Sequence, residues 1–139
     1  MSDTVFHYTH RVTYAECTIG NHVYYGRYLD LLEAARGEFF RSIGVSLQSL
    51  YERDTAFPVI ECRLKYKSPA RYDDRLVIEV WLSECEGARA GFEYRVLNQS
   101  GALVLEGGTV HVCTTTQEKP RRLPPELKEL LRPFVHTKV

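Results

Sequence analysis

At Arg27 the spacing of apolar residues changes from every second residue to every third or fourth, and the new period holds to Ile43. Tyr28, Leu29, Leu32, Ala35, Arg36, Phe39, Phe40 and Ile43 mark it, with Asp30, Glu33, Gly37, Glu38 and Arg41 between them. That period predicts an amphipathic helix. Its apolar side is broad and carries aromatic rings, so the helix is expected to lie buried against a sheet. Gly44 supplies a stop, and Ser46 is placed to cap a second, short helix over about residues 46–53.

Strand-like alternation flanks the helix on both sides. Residues 5–14 precede it; Phe57 to Tyr66, Leu76 to Cys85, Arg89 to Leu97 and Leu103 to Thr115 follow. Lys67 to Asp74 reads as a turn-rich connector, Glu86-Gly87 begins a turn, and Asn98-Gln-Ser-Gly101 is a tight hairpin signal. Gly107-Gly108 marks a bulge or a point of close backbone approach. In the tail, Pro124-Pro125 leaves room for a short Glu126 to Leu131 helix at most. The order predicts an α+β chain, a five-stranded curved antiparallel sheet wrapped around one long central helix. A length of 139 residues fits one domain, with a core at about 5–120 and a C-terminal tail at about 121–139.

Eighteen Lys and Arg balance eighteen Asp and Glu, which leaves no global field to attract nucleic acid or an anionic membrane. No apolar run approaches the roughly 20 residues of a membrane-spanning helix. The segment Met1 to His7 lacks the basic-then-apolar order of a secretory signal, so a cytoplasmic location is expected. Cys17, Cys62, Cys85 and Cys113 form no C-x-x-C pair, which argues against a zinc site or a disulfide framework. Cys62, Cys85 and Cys113 fall in apolar strand patterns and are expected to be small buried hydrophobes.

The densest chemistry lies between Tyr14 and Leu29. Glu16, Cys17, Thr18, Asn21 and His22 crowd the loop that feeds the helix. A helix N-terminus offers unpaired backbone N–H groups and a positive dipole end, which suit a developing oxyanion. Cys17, with His22 near it in sequence, offers a nucleophile and a base.

Four fragments in order, Val12-Thr-Tyr-Ala-Glu16, Gly20 to Leu29, Glu33-Ala-Ala-Arg36 and Tyr66-Lys-Ser-Pro-Ala-Arg-Tyr-Asp-Asp74, resemble the hotdog-fold acyl-CoA thioesterases of the 4-hydroxybenzoyl-CoA thioesterase-like group. The resemblance covers roughly residues 5–120. It implies hydrolysis of an acyl-CoA or acyl-carrier-protein thioester to acid and thiol. No cofactor is implied beyond the CoA or phosphopantetheine of the substrate itself. It also implies a homodimer, paired sheet edge to sheet edge with the active site at the interface and in some members doubled to a homotetramer. In that group the loop reads Asp-x-Asp, then a small residue and glycine, and the second aspartate attacks the thioester or activates water. Those positions hold Glu16 and Thr18 here, and a threonine hydroxyl is a poor base and a poor nucleophile. Tyr14-Ala-Glu-Cys-Thr18 resembles more closely the loop of the enediyne-polyketide thioesterases, which starts Tyr-Ala-Glu-Thr-Asn and relies on a helix arginine at the position of Arg36.

The resemblance implies roles residue by residue. The Tyr25 backbone N–H polarises the thioester carbonyl, and Arg36 steadies an oxyanion or a water, or else pairs with Glu33 or Glu16. Glu16 is the loop carboxylate nearest the chemistry, a general base or an anchor for the loop. Thr18 orients water, and Glu33, one turn before Arg36, can meet it. Asn21 and His22 are expected to shape the loop and cap the helix, with Val23 and Tyr24 beside the substrate. Lys67 and Arg71, together with Arg63, Lys65 and Arg89, are basic neighbours for CoA phosphates or a solvated sheet face. Tyr24, Tyr25, Leu32, Phe39 and Phe40 are expected to set pocket depth. No metal site is expected. The missing loop carboxylate leaves open a non-catalytic acyl-thioester binding protein, and His22 with Glu33 faintly suggests dehydratase chemistry.

Overall fold

The computed structural model describes residues 4–136; Met1 to Asp3, and Thr137 to Val139 at the end of the tail, lie outside the described residues. Five strands, β1 (Phe6–Arg11), β2 (Val59–Tyr66), β3 (Arg75–Glu86), β4 (Arg89–Leu97) and β5 (Leu103–Val112), form one antiparallel sheet in the order β1-β3-β4-β5-β2. The long helix α1 (Arg27–Ser42) buries Tyr28, Leu31, Leu32, Ala35, Phe39 and Phe40. The buried stripe includes Leu31, whereas Leu29 turns outward and is 46% exposed. Phe39 sits at the centre, its ring 5.6 Å from Phe6, 6.1 Å from Phe92 and 4.7 Å from Phe134.

Directly paired residues share a sheet face, so the register assigns the two faces. Toward α1 point Ile78, Val80 and Leu82 of β3 and Phe92, Tyr94 and Val96 of β4, all buried. On β5 the same phase carries Leu105, Gly107, Thr109 and His111. The opposite face is polar and ion-paired: Arg95 meets Glu79 at 2.7 Å, and Arg63 meets Glu93 at 2.6 Å.

Ser46 caps the short helix α2 (Leu47–Glu52), its hydroxyl accepting from the Ser49 N–H at 3.2 Å. Strand β1 stops at Arg11 and gives way to a 3-10 turn at Tyr14–Glu16, where the Glu16 carboxylate accepts the Thr13 N–H at 2.8 Å. The tail packs against the domain. Helix α3 (Pro125–Leu131) buries Leu127 and Leu131, and the His136 N–H donates to the Leu82 carbonyl at 2.9 Å.

Gly107 and Gly108 lie in unbroken register; the register shifts fall at Val59/Glu61, Leu82/Glu84 and Val96/Leu97. Gly107 is a close-approach residue, since a Cβ there would overlap the carbonyl oxygen of Arg63 on β2. Gly107→Ala is expected to cost about 2 kcal/mol through this overpacking. Denaturant unfolding measures it, and an unchanged midpoint would contradict the assigned contact.

Strand β2 is an edge strand and is exposed almost throughout, with Val59 at 49% and Ile60 at 55%. Cys62 is therefore exposed, contrary to the expectation from its apolar surroundings; Cys85 and Cys113 are buried as expected. No helix among the described residues is long and apolar enough to cross a membrane.

Candidate active site

The loop before α1 folds on itself. Cys17 bridges to Val23, the Thr18 N–H donates to the His22 carbonyl at 2.7 Å, and the Asn21 N–H donates to the Thr18 carbonyl at 3.1 Å. Gly20 and Asn21 take positive φ angles of 95° and 63° to close this turn, which Gly and Asn tolerate best. Asn21 does not cap α1. Its side-chain amide oxygen, Oδ1, instead accepts the Tyr72 N–H at 3.0 Å and ties the loop to the connector between β2 and β3. The N-cap of α1 is Gly26, which has no side chain to offer.

That absence leaves amides available. Among the described residues, the N–H groups of Tyr25 and Gly26 donate to nothing, while Val23, Tyr24 and Arg27 are all engaged. Tyr25 lines a groove of about 380 Å³ with His22, Val23, Tyr28, Tyr66 and Lys67. Its ring lies 4.7 Å from Tyr24 and 6.4 Å from Tyr66, whose hydroxyl donates to the Tyr25 carbonyl at 3.2 Å.

Glu16 is already occupied. One carboxylate oxygen accepts from Thr13 and also meets His10 Nε2 at 2.9 Å. Burial pushes its acidity toward a higher pKa, but the His10 and Thr13 hydrogen bonds outweigh that and hold it below the usual range, which weakens it as a base. The Thr18 hydroxyl turns back on the loop, to the Ile19 carbonyl at 3.1 Å and the His22 carbonyl at 3.4 Å. Burial, with Glu16 and Asp74 nearby, raises the Cys17 thiol, the opposite of what a nucleophile needs.

Glu33 and Arg36 lie together, away from Thr18. Both line a cavity of about 290 Å³ with Leu29, Asp30, Val59 and Cys62, and a second of about 250 Å³ against α2 with Phe40, Leu50, Phe92 and His111. They do not pair: among the described residues, Arg36 has no carboxylate within ion-pair distance, and the Glu33 carboxylate makes no hydrogen bond. Arg36 Nη1 instead donates to the Tyr94 hydroxyl at 3.0 Å. Tyr94 meets Thr109 Oγ1 at 3.0 Å, Thr109 meets His111 Nε2 at 2.9 Å, and His111 Nδ1 meets the Phe57 carbonyl at 3.1 Å. Sequence reasoning missed these partners. The signal was two polar residues, Thr109 and His111, on the inward phase of an apolar strand.

The other expected residues divide. Of the basic set, Lys67 lines the Tyr25 groove while pairing with Glu106 at 3.6 Å. Arg63 is drawn to Glu93 on the opposite sheet face, where Lys65 also lies, and Arg89 pairs with Glu84 at 2.9 Å. Arg71 is exposed in the connector, where its N–H donates to Asp74. Phe39 is fully buried and lines none of these hollows, whereas Leu32 and Phe40 do. No group of His, Cys, Asp and Glu among the described residues could hold a metal ion.

A long helix cradled in a curved antiparallel five-stranded sheet, with free amides at the helix start, defines a hotdog-fold protein. Residues 12–131 match the thioesterase-like superfamily. The acyl-CoA thioesterase YbgC of Haemophilus influenzae is 35% identical over 131 residues, 92% of this chain and 95% of that protein. The acyl-CoA thioester hydrolase YbgC of Escherichia coli is 34% identical over 125 residues, 89% and 93% respectively. The dynemicin thioesterase has the same fold, with a TM-score of 0.89 at 17% identity over 97% of this chain and 100% of that one. This chain belongs to the thioesterase-like superfamily, a family of thioester hydrolases.

Proposed function

We propose that this protein hydrolyses acyl-CoA thioesters, water adding to a carbonyl held by the N–H groups of Tyr25 and Gly26, and CoA leaving as the thiol. The observation that carries the reading is the pair of unpartnered amides, Tyr25 and Gly26, at the head of a 16-residue helix, with Tyr25 lining the groove beside it. Such donors stabilise the oxyanion more than the ground-state carbonyl. An acyl-carrier-protein thioester would meet the same groups through its phosphopantetheine. The reaction needs no cofactor, since CoA or phosphopantetheine enters as part of the substrate.

Arg36 lies nine residues past Arg27, the first residue of α1, about 13 Å of helix rise beyond the Tyr25 end, and the two line separate hollows of one chain. A homodimer joined along the exposed edge of β2 would supply Glu33 and Arg36 from a second copy. In that arrangement the uncommitted Glu33 is the better base, and Glu16 orders the loop. Thr18, with its hydroxyl turned into the loop, supports the second reading, a protein that binds acyl thioesters without turning them over.

Thiol release from benzoyl-CoA, hexanoyl-CoA and an acyl-carrier-protein thioester separates the two. Turnover is expected, with Glu16→Gln keeping activity within about tenfold because Glu16 positions the loop rather than moving a proton. Tight binding of all three substrates without thiol release would overturn the hydrolase in favour of the binder. Light scattering that finds a monomer in the active preparation would remove the shared site.

A further inference from the structure

We propose that Tyr94, Thr109 and His111 are positioning residues for the reaction, a hydrogen-bond chain with one direction that holds the Arg36 guanidinium in place. The proposal rests on the reading that Arg36 acts at the thioester.

The direction follows from the two ends. The Phe57 carbonyl can only accept, so His111 Nδ1 carries the proton of their 3.1 Å bond. A neutral imidazole then presents Nε2 as an acceptor, and the Thr109 hydroxyl must donate to it across 2.9 Å. With its single proton spent, Thr109 accepts from the Tyr94 hydroxyl at 3.0 Å. Tyr94 in turn accepts from Arg36, which can only donate, at 3.0 Å. Every proton has one place, and no link competes with another.

The surroundings support a fixed chain. Tyr94 is 1% exposed, His111 2% and Thr109 5%, so water does not substitute for a missing partner. The Phe92 ring stands edge-on to His111 at 5.3 Å and limits its rotation. Burial raises the Tyr94 hydroxyl above its ordinary pKa, which keeps the linking proton in place. Burial lowers His111 and the Arg36 charge adds to this, which keeps Nε2 free to accept. A proton on Nε2 would make that nitrogen a donor and release the Thr109 proton, so the order of the chain would no longer be fixed. Arg36 has no carboxylate partner among the described residues, so this chain is what defines its position.

The test measures kcat and KM on benzoyl-CoA or hexanoyl-CoA, whichever turns over faster, for Tyr94→Phe, Thr109→Val and Thr109→Ser. Each is made in the native and in the Arg36→Ala background, and Arg36→Ala is assayed at high enzyme concentration. Tyr94→Phe and Thr109→Val each delete one hydroxyl with little change of shape, so the loss of fold in one leaves the other to decide. The expected result is a tenfold fall in kcat for both, KM within twofold, and recovery to within twofold in Thr109→Ser. In the Arg36→Ala background the same substitutions are expected to change kcat less than twofold, since their effect passes through Arg36. Equal falls in both backgrounds, or no fall in the native one while Arg36→Ala is slow, would overturn the chain. An Arg36→Ala enzyme with undiminished kcat would instead overturn the reading of Arg36 itself, and this proposal with it.

Discussion

Arg36→Ala is expected to lower kcat by about 100- to 1000-fold, the usual consequence of removing one preorganised donor from a site where negative charge develops. The guanidinium is half-buried, free of any carboxylate among the described residues, and held by a phenol rather than by a counter-charge. Its positive charge is therefore not spent on an internal ion pair and is available to an anionic intermediate. Arg36→Lys is expected to recover little, because an ammonium cannot reproduce the planar fork that spans Tyr94 and the cavity. Glu33→Gln is expected to cost about 100-fold, the range of a single general base. Steady-state kinetics with matched melting curves checks both. Loss confined to KM would place Arg36 in ground-state binding instead.

The second large effect is on stability in acid. His111 is lowered from 6.5 to about 4, first by burial and further by the Arg36 charge, while the Phe57 carbonyl opposes the shift. Between those values the unfolded chain takes up a proton that the folded chain refuses. The native state is therefore fully supported above pH 6.5 and loses about 3 kcal/mol as pH falls toward 4. The groups facing the ring are Arg36 from α1, Thr109 from its own strand, Phe92 from β4 and the Phe57 carbonyl; the Glu33 carboxylate of α1 lines the same cavity without a hydrogen bond to the ring. Urea unfolding of the native protein and of His111→Gln at pH 7, 5.5 and 4 isolates this contribution. The variant starts less stable, and the gap should narrow with acid; parallel curves would show that another group carries the acid sensitivity.

Much of the architecture could be read from local patterns. The periodic stretch after Arg27 became α1, Ser46 became a working cap, and Asn98 to Gly101 became a turn closed by the Gly101 N–H on the Asn98 carbonyl at 2.9 Å. These features depend on residues within a few positions of one another. What could not be read depends on strand order, because nothing local to Val59–Tyr66 says that it pairs with β5 and forms an edge. The exposure of Cys62 follows from that order, and so does its place opposite Arg36 in one cavity. The loop was legible as a dense polar turn before the helix, but not the commitment of Glu16 and Thr18 to the loop's own hydrogen bonds. The partners of Arg36 come from β4 and β5, 58 or more positions away along the chain, and only the folded sheet brings them under the helix.

The strand order also determines when the cavity beside Arg36 can exist. Leu64 of β2 meets Gly107 about 40 residues further along, and closing so long a segment costs entropy that the adjacent β3–β4 and β4–β5 hairpins avoid. The hairpins can assemble from neighbouring sequence, but β2 must wait for β5 to offer an edge. Val59 and Cys62 are thus expected to reach their places after the hairpins, so that the wall opposite Glu33 and Arg36 closes on a β3–β4–β5 sheet already formed.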